Sequence, residues 1–177
     1  MPLYEFEGKR PSVGPGTWVA PGAQIIGAVT IGANCYIGFN AVIRADFGVI
    51  TIGDETAVEE GVIIHEAERV TIGSRVIIGH MAMIHDAVIE DCALIGMQSM
   101  ICDQARICQW AMVAEKSLVM KRQTIPANEI FAGIPAKKIG TVTDRHRERL
   151  ALGQQLYAGL PALYAGSFKE IPPGQAS

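Results

Sequence analysis

An aliphatic residue returns every six positions along most of this chain, and few folds can absorb such a period. Ile-Gly recurs at Ile26-Gly27, Ile31-Gly32, Ile37-Gly38, Ile52-Gly53, Ile72-Gly73, Ile78-Gly79 and Ile95-Gly96. Ile43, Val58, Ile64, Ile84, Ile89, Ile101, Ile107, Val113 and Val119 hold the same phase. Steps of five fall at 26→31 and 84→89, and the longer steps 43→52 and 64→72 mark small insertions. A period of six is neither helical nor simple strand alternation. It suits a short strand and a bend, with the aliphatic residue inward and Gly, Ala, Asn, Asp or Ser at the bend, where glycine relieves crowding. One unit alone leaves its apolar face in water, so units must stack to bury a continuous core. The repeat runs over about residues 13–128, which at three units per coil makes about six coils. The expected fold is an all-β parallel β-helix.

With 177 residues the chain suits a single domain. A hydrophobic share of 49% against 19% charged residues excludes disorder for most of it. The net charge of −3, without a long Lys/Arg run, argues against nucleic acid or an anionic membrane as partner. No apolar run approaches the roughly 18 residues of a membrane span. Met1-Pro2-Leu3-Tyr4-Glu5-Phe6-Glu7 offers neither a basic nor an apolar leader region, so a cytoplasmic location is expected. Cys35, Cys92, Cys102 and Cys108 show no C-x-x-C spacing and read as small, reduced, buried residues.

Beyond the repeat, Asp144 is expected to cap a helix running to about Tyr157. Leu150, Leu152, Leu156 and Tyr157 give that helix an apolar side to lay along the solenoid or a neighbouring subunit. Gly159 and Pro161 are expected to break or kink it, and the tail Ile171–Ser177 to be loose. The chain thus divides into a β-helix domain, 1–140, and a C-terminal helix with its tail, 141–177.

Of the four histidines, His65, His80 and His85 fall within 21 residues, and His146 lies in the charged run that opens the helix. His65 follows the inward Ile64, and His85 follows the inward Ile84. The 20 residues between them equal one 18-residue coil plus the two-residue insertion at 64→72. They are therefore expected on one edge, one coil apart, at roughly the 4.8 Å spacing of neighbouring strands. His80, two places after Ile78, belongs near another corner. In a threefold trimer it could reach the equivalent pair on a neighbour. Three histidines with an open fourth position make a metal-activated water; the plainer alternative is three unrelated surface histidines.

The six-residue repeat resembles the hexapeptide-repeat family, which implies the left-handed form of the parallel β-helix. Phe131-Ala132-Gly133-Ile134-Pro135-Ala136-Lys137 is similar to the exit segment of many hexapeptide acyltransferases. Val62-Ile63-Ile64-His65, Ile77-Ile78-Gly79-His80 and Ile84-His85 resemble the three-histidine signature of γ-class carbonic anhydrases. Ile43-Arg44-Ala45-Asp46 is similar to that family's Arg-x-Asp step, and Leu94-Ile95-Gly96-Met97-Gln98 to its following coil. The resemblance covers about Pro15 to Lys137. It implies His65, His80 and His85 as ligands of Zn2+ (Fe2+ or Co2+ possible) between subunits of a homotrimer. Arg44 and Asp46 would hold the interface and orient the site, or form a plain ion pair. The implied reaction is hydration of carbon dioxide to bicarbonate by a metal-bound hydroxide.

Departures from the pattern bear on chemistry. Glu59 stands where members of the family carry Gln, six residues before the first ligand. A carboxylate there can act as general base or bind the metal and close the open position. Phe47 stands where archetypal members place an acidic proton shuttle. Glu68 is at another shuttle position or is a solvated loop charge, and Tyr157 either points toward the metal or packs. Three other function classes stay open: a metal-dependent thioesterase or hydrolase of small acyl-CoA compounds, a hexapeptide acyltransferase, and a non-enzymatic metal- or siderophore-binding protein.

Overall fold

The computed structural model describes residues 3–171, so the tail expected to be loose lies, beyond Ile171, outside the described residues. The chain winds as a left-handed parallel β-helix with one C-terminal helix. Three inward columns build the core. Ile25, Ile43, Ile64, Ile84, Ile101 and Val119 stack in register down one face. Ile31, Ile52, Ile72, Ile89, Ile107 and Ile125 stack down the second. Val19, Ile37, Val58, Ile78, Ile95 and Val113 stack down the third. All are buried, and each isoleucine removed from water contributes about 2–3 kcal/mol. Seven parallel strands stack on the third face, from Trp18–Val19 to Glu129–Ala132, one more than the six coils expected.

Ile25 corrects one phase assignment. It is the fully buried residue, whereas Ile26 is half-buried and lies in the outward column of Arg44. The irregular step 26→31 is therefore a regular 25→31. The short step 84→89 is real, since both residues are fully buried. The left-handed bend is taken by glycine at Gly16, Gly22 and Gly61 and by non-glycine residues elsewhere, such as Met81 (φ 57°), Gln98 (φ 59°) and Lys116 (φ 56°). Gly96 is needed because the next coil passes close: a Cβ there would stand 2.5 Å from the backbone nitrogen of Glu115.

Helix α1 spans Asp144–Ser167, capped not by Asp144 but by Thr143, whose side chain accepts from the backbone of His146 while the His146 ring returns to the Thr143 backbone. It does not stop at Tyr157 and runs through Gly159 and Pro161. Tertiary packing offsets the proline. Trp18 stacks on Tyr164 with ring centroids 4.3 Å apart, and Tyr36, Phe39, Tyr157 and Phe168 complete the aromatic cluster. Leu150 and Pro161 are buried in this face, but Leu152 and Leu156 point away from it, 62% and 73% exposed. Cys35 and Cys92 are buried as expected, while Cys102 and Cys108 are only half-buried, and all four are free.

Candidate metal centre

The ladder pairs Ile63–His65 with Met83–His85 so that His65 and His85 are direct partners, their ring centroids 5.3 Å apart. Each follows a fully buried isoleucine, so the strand's alternation turns both imidazoles outward on one edge. Arg44 precedes them in the same column. Its Nη2 lies 3.0 Å from His65 Nε2, and its Nε lies 3.2 Å from Asp46 Oδ2. A guanidinium only donates, so His65 Nε2 is the accepting nitrogen. Asp46 Oδ2 is itself 3.7 Å from that atom.

His85 is oriented from the next coil, its Nδ1 2.7 Å from Asp103 Oδ1. That hydrogen bond holds the Asp103 carboxyl below the usual carboxylate range, with Lys121 Nζ 3.5 Å away adding to the effect. With Nδ1 taken, His85 presents Nε2 outward.

The segment after Asp46 is clamped from both sides. Glu66 Oε1 accepts the backbone N–H groups of Phe47 and Gly48, each at 3.1 Å. Lys9 Nζ donates to the carbonyls of Asp46 and Phe47 at 3.1 and 3.2 Å. Gly48 is required here, because a Cβ would meet the Glu68 carbonyl oxygen at 1.7 Å. The clamp fixes Asp46 beside His65 and leaves the Phe47 ring 74% exposed. Glu68 is exposed, and its backbone N–H, with those of Ala67 and Arg69, donates to Asp86 Oδ1. Burial alone would raise the Asp86 carboxyl, but these three donors bring it below the usual range.

His80 occupies a separate corner. Its Nδ1 lies 2.7 Å from Glu60 Oε2, and its Nε2 lies 3.0 Å from Glu59 Oε2. The same Glu59 oxygen accepts the backbone N–H of His80 at 2.9 Å. Tyr36 donates its hydroxyl to Glu60 Oε1 at 2.6 Å. Burial, then Glu60, pushes the Tyr36 phenol up; burial, then the Glu59 carboxylate, does the same to Tyr157. Helix α1 thus brings Tyr157 to Glu59 rather than to the His65–His85 edge.

The fold therefore gathers Arg44, Asp46, His65 and His85 on one edge and places His80 with Glu59 on another. Among the described residues no group of three His, Cys, Asp or Glu side chains within one chain is arranged to hold a metal ion. Of the two imidazoles in register, His85, with its remote nitrogen held by a carboxylate, has the orientation that fits a borderline divalent ion such as Zn2+, whereas His65 could join it only by the Nε2 that here accepts from Arg44. Asp103, Glu60 and Tyr36 escaped the sequence reading. Register could have found two of them: Glu60 is the ladder neighbour of His80, and Asp103 directly follows Cys102, the neighbour of His85.

Comparison with known proteins places these sites in context. Residues 10–45 match the family model described as bacterial transferase hexapeptide (six repeats). The chain is similar to a hexapeptide transferase family protein of Anaplasma phagocytophilum, 31% identical with a TM-score of 0.89, over 92% of this chain and 98% of the other. It is equally similar to a candidate acetyltransferase of Bacillus cereus, 31% identical with a TM-score of 0.91, over 93% and 96%. Carnitine operon protein CaiE of a Proteus species is 38% identical over 65 residues, 37% of this chain and 33% of that protein. The chain thus spans about a third of the length of the curated relatives it matches. No described helix is long and apolar enough to cross a membrane.

Proposed function

This chain belongs to the hexapeptide transferase family, and within it we propose a γ-carbonic-anhydrase-like metalloprotein, a homotrimer that hydrates carbon dioxide to bicarbonate at its subunit seams. The observation that carries this reading is the in-register His65–His85 pair, with His85 Nδ1 anchored 2.7 Å from Asp103. These two histidines would hold the ion together with His80 of a neighbouring subunit, since His80 sits on another corner of its own coil. A bound Zn2+, Fe2+ or Co2+ would supply Lewis acidity and a water that loses its proton near neutral pH.

The chain's own residues do the rest. Arg44 binds Asp46 and would release His65 Nε2, to which it now donates, when that nitrogen turns to the ion. The exposed Phe47 ring, on its clamped segment, gives the approach an apolar wall suited to an uncharged substrate. Glu59 Oε2 stands beside His80 Nε2, where it can accept a proton and pass it toward solvent. The four free cysteines suit a reducing compartment, in keeping with a cytoplasmic protein.

The test is metal analysis followed by stopped-flow carbon dioxide hydration on protein loaded with each of the three metals. About one ion per subunit with turnover is expected; no turnover with any of them overturns the anhydrase reading. Acetyl transfer is the second reading, favoured by the naming of the Bacillus cereus neighbour. Thiol release from acetyl-CoA, in the absence of added metal and with an amine or hydroxyl acceptor, would support it instead.

A further inference from the structure

The outward residues of the third face are apolar because helix α1 lies along them, yet α1 does not cover them evenly. One flank is tied to the corner before Met112: Arg147 Nη2 donates to Asn128 Oδ1 at 2.6 Å, and its guanidinium lies 4.7 Å from the centre of the Trp110 ring. Residues two apart on a helix point to nearly opposite sides, so Arg149 belongs to the other flank. There, toward the corner after Leu94 and Met112, a cleft of about 330 Å3 stays open. Its floor is the ladder of Ile77, Leu94 and Met112, and Leu150 of α1 is its wall. Ile77, Met112 and Leu150 are buried, so the floor is apolar and fixed.

The mouth of this cleft is polar, and its charges do not meet. Arg149 and Glu115 both line it, and neither takes part in an ion pair among the described residues. His146 lines it as well. Its Nδ1 accepts the Thr143 backbone N–H at 3.0 Å, so the neutral ring carries its hydrogen on Nε2, as a second donor beside Arg149. We propose that the cleft binds a free α-amino acid with an apolar side chain. The carboxylate of the ligand accepts from Arg149 and from His146 Nε2, its ammonium donates to Glu115, and its side chain lies on Leu94 and Met112. Both charges of such a ligand sit on one carbon, which suits a cation and an anion that share one mouth. A fatty carboxylate would bring a like charge to Glu115, and a simple amine would bring one to Arg149. The volume lies at the small end for ligand pockets, in keeping with a ligand of this size. None of these groups is a candidate metal ligand.

The experiment is calorimetric titration of the full-length protein with L-leucine, N-acetyl-L-leucine, L-leucinamide and glycine. L-leucine is expected to bind saturably, with a Kd of about 1 mM or tighter. The other three are expected to bind at least about tenfold more weakly, since each lacks the ammonium, the carboxylate or the side chain. Glu115→Gln is expected to weaken L-leucine about tenfold and to leave N-acetyl-L-leucine unchanged; Arg149→Gln is expected to weaken L-leucine about tenfold and to leave L-leucinamide unchanged. Both residues are exposed, so neither substitution disturbs the core. Methionine methyl 13C–1H spectra locate the ligand. The Met97 and Met112 signals are expected to move on adding L-leucine, while Met83 and Met100, paired on the first face, stay in place. N-acetyl-L-leucine or L-leucinamide binding as tightly as L-leucine overturns the proposal. So does the lack of saturable L-leucine binding up to about 10 mM, or a shift confined to Met83 and Met100.

Discussion

His85 Nδ1 and Asp103 Oδ1, 2.7 Å apart, join two successive coils at the edge where the candidate ion would sit. The contact fixes which imidazole nitrogen is spoken for, and so which one faces outward. Asp103→Asn is expected to weaken Zn2+ binding about tenfold to a hundredfold while leaving the fold intact. Chelator competition measures the first effect and far-ultraviolet circular dichroism the second. Unchanged affinity would show that the ladder alone orients His85.

Asp86, the residue directly after His85, does a different task. Its Oδ1 accepts three backbone N–H groups, from Ala67, Glu68 and Arg69, at 2.9, 2.9 and 3.1 Å. The folded carboxyl is held below its ordinary value, so its contribution is full above the unfolded value of about 3.9 and is lost as pH falls through the folded one. Asp86→Ala is expected to cost about 1–3 kcal/mol at pH 7. The gap between wild type and variant in urea unfolding should close as the pH is taken below 3.9. A gap that persists in strong acid would mean the carboxylate contributes by packing alone.

The core columns predict a uniform sensitivity. Ile95 is fully buried between Ile78 and Val113 in the third column. Ile95→Ala is expected to lower unfolding free energy by about 2–5 kcal/mol and Ile95→Val by about 1 kcal/mol, both read from urea denaturation. Equal effects at the two would mean that the coil collapses around the lost volume.

Much of this architecture was legible because the period itself is physical: a strand and a bend must bury one residue in six. The same logic put His65 and His85 in register. It failed where the phase was ambiguous, at Ile25 and Ile26, since two adjacent isoleucines satisfy the pattern equally and only the ladder decides which is inward. It failed again at Pro161. The local preference to end a helix was outweighed by long-range stacking, Trp18 on Tyr164, which no local pattern announces. Glu59 was legible by phase only as the residue six before His65; what the phase did not announce is that its side chain reaches the ring of His80 on the adjacent coil.

That aromatic docking is testable by itself. Trp18 touches Tyr36, Phe39, Tyr164 and Phe168, and so ties both ends of the described cluster. Trp18→Ala is expected to cost about 3 kcal/mol and to free the C-terminal half of α1 first. Limited proteolysis should then cut near Pro161 in the variant and not in the wild type. Cleavage at the same rate in both would show that the helix is held elsewhere along its length.

The seam carries the last prediction. Val42, Ile63, Met83, Met100 and Leu118 form one outward apolar column, one position before the inward isoleucines. Ile63 and Met100 are 43% and 45% exposed in the single chain, and the column runs alongside the edge of His65 and His85. An apolar row beside a polar site is what a second copy of the chain would cover, and covering it would also carry that copy's His80 toward the pair. Ile63→Glu with Met100→Glu places two charges in that contact, where burial without partners is unfavourable. Sedimentation is expected to give a trimer for wild type and a monomer for the double variant, and Zn2+ retention should disappear with the trimer although all three histidines remain. A monomeric variant that still holds one ion per subunit would put the metal within a single chain and remove the seam from the mechanism.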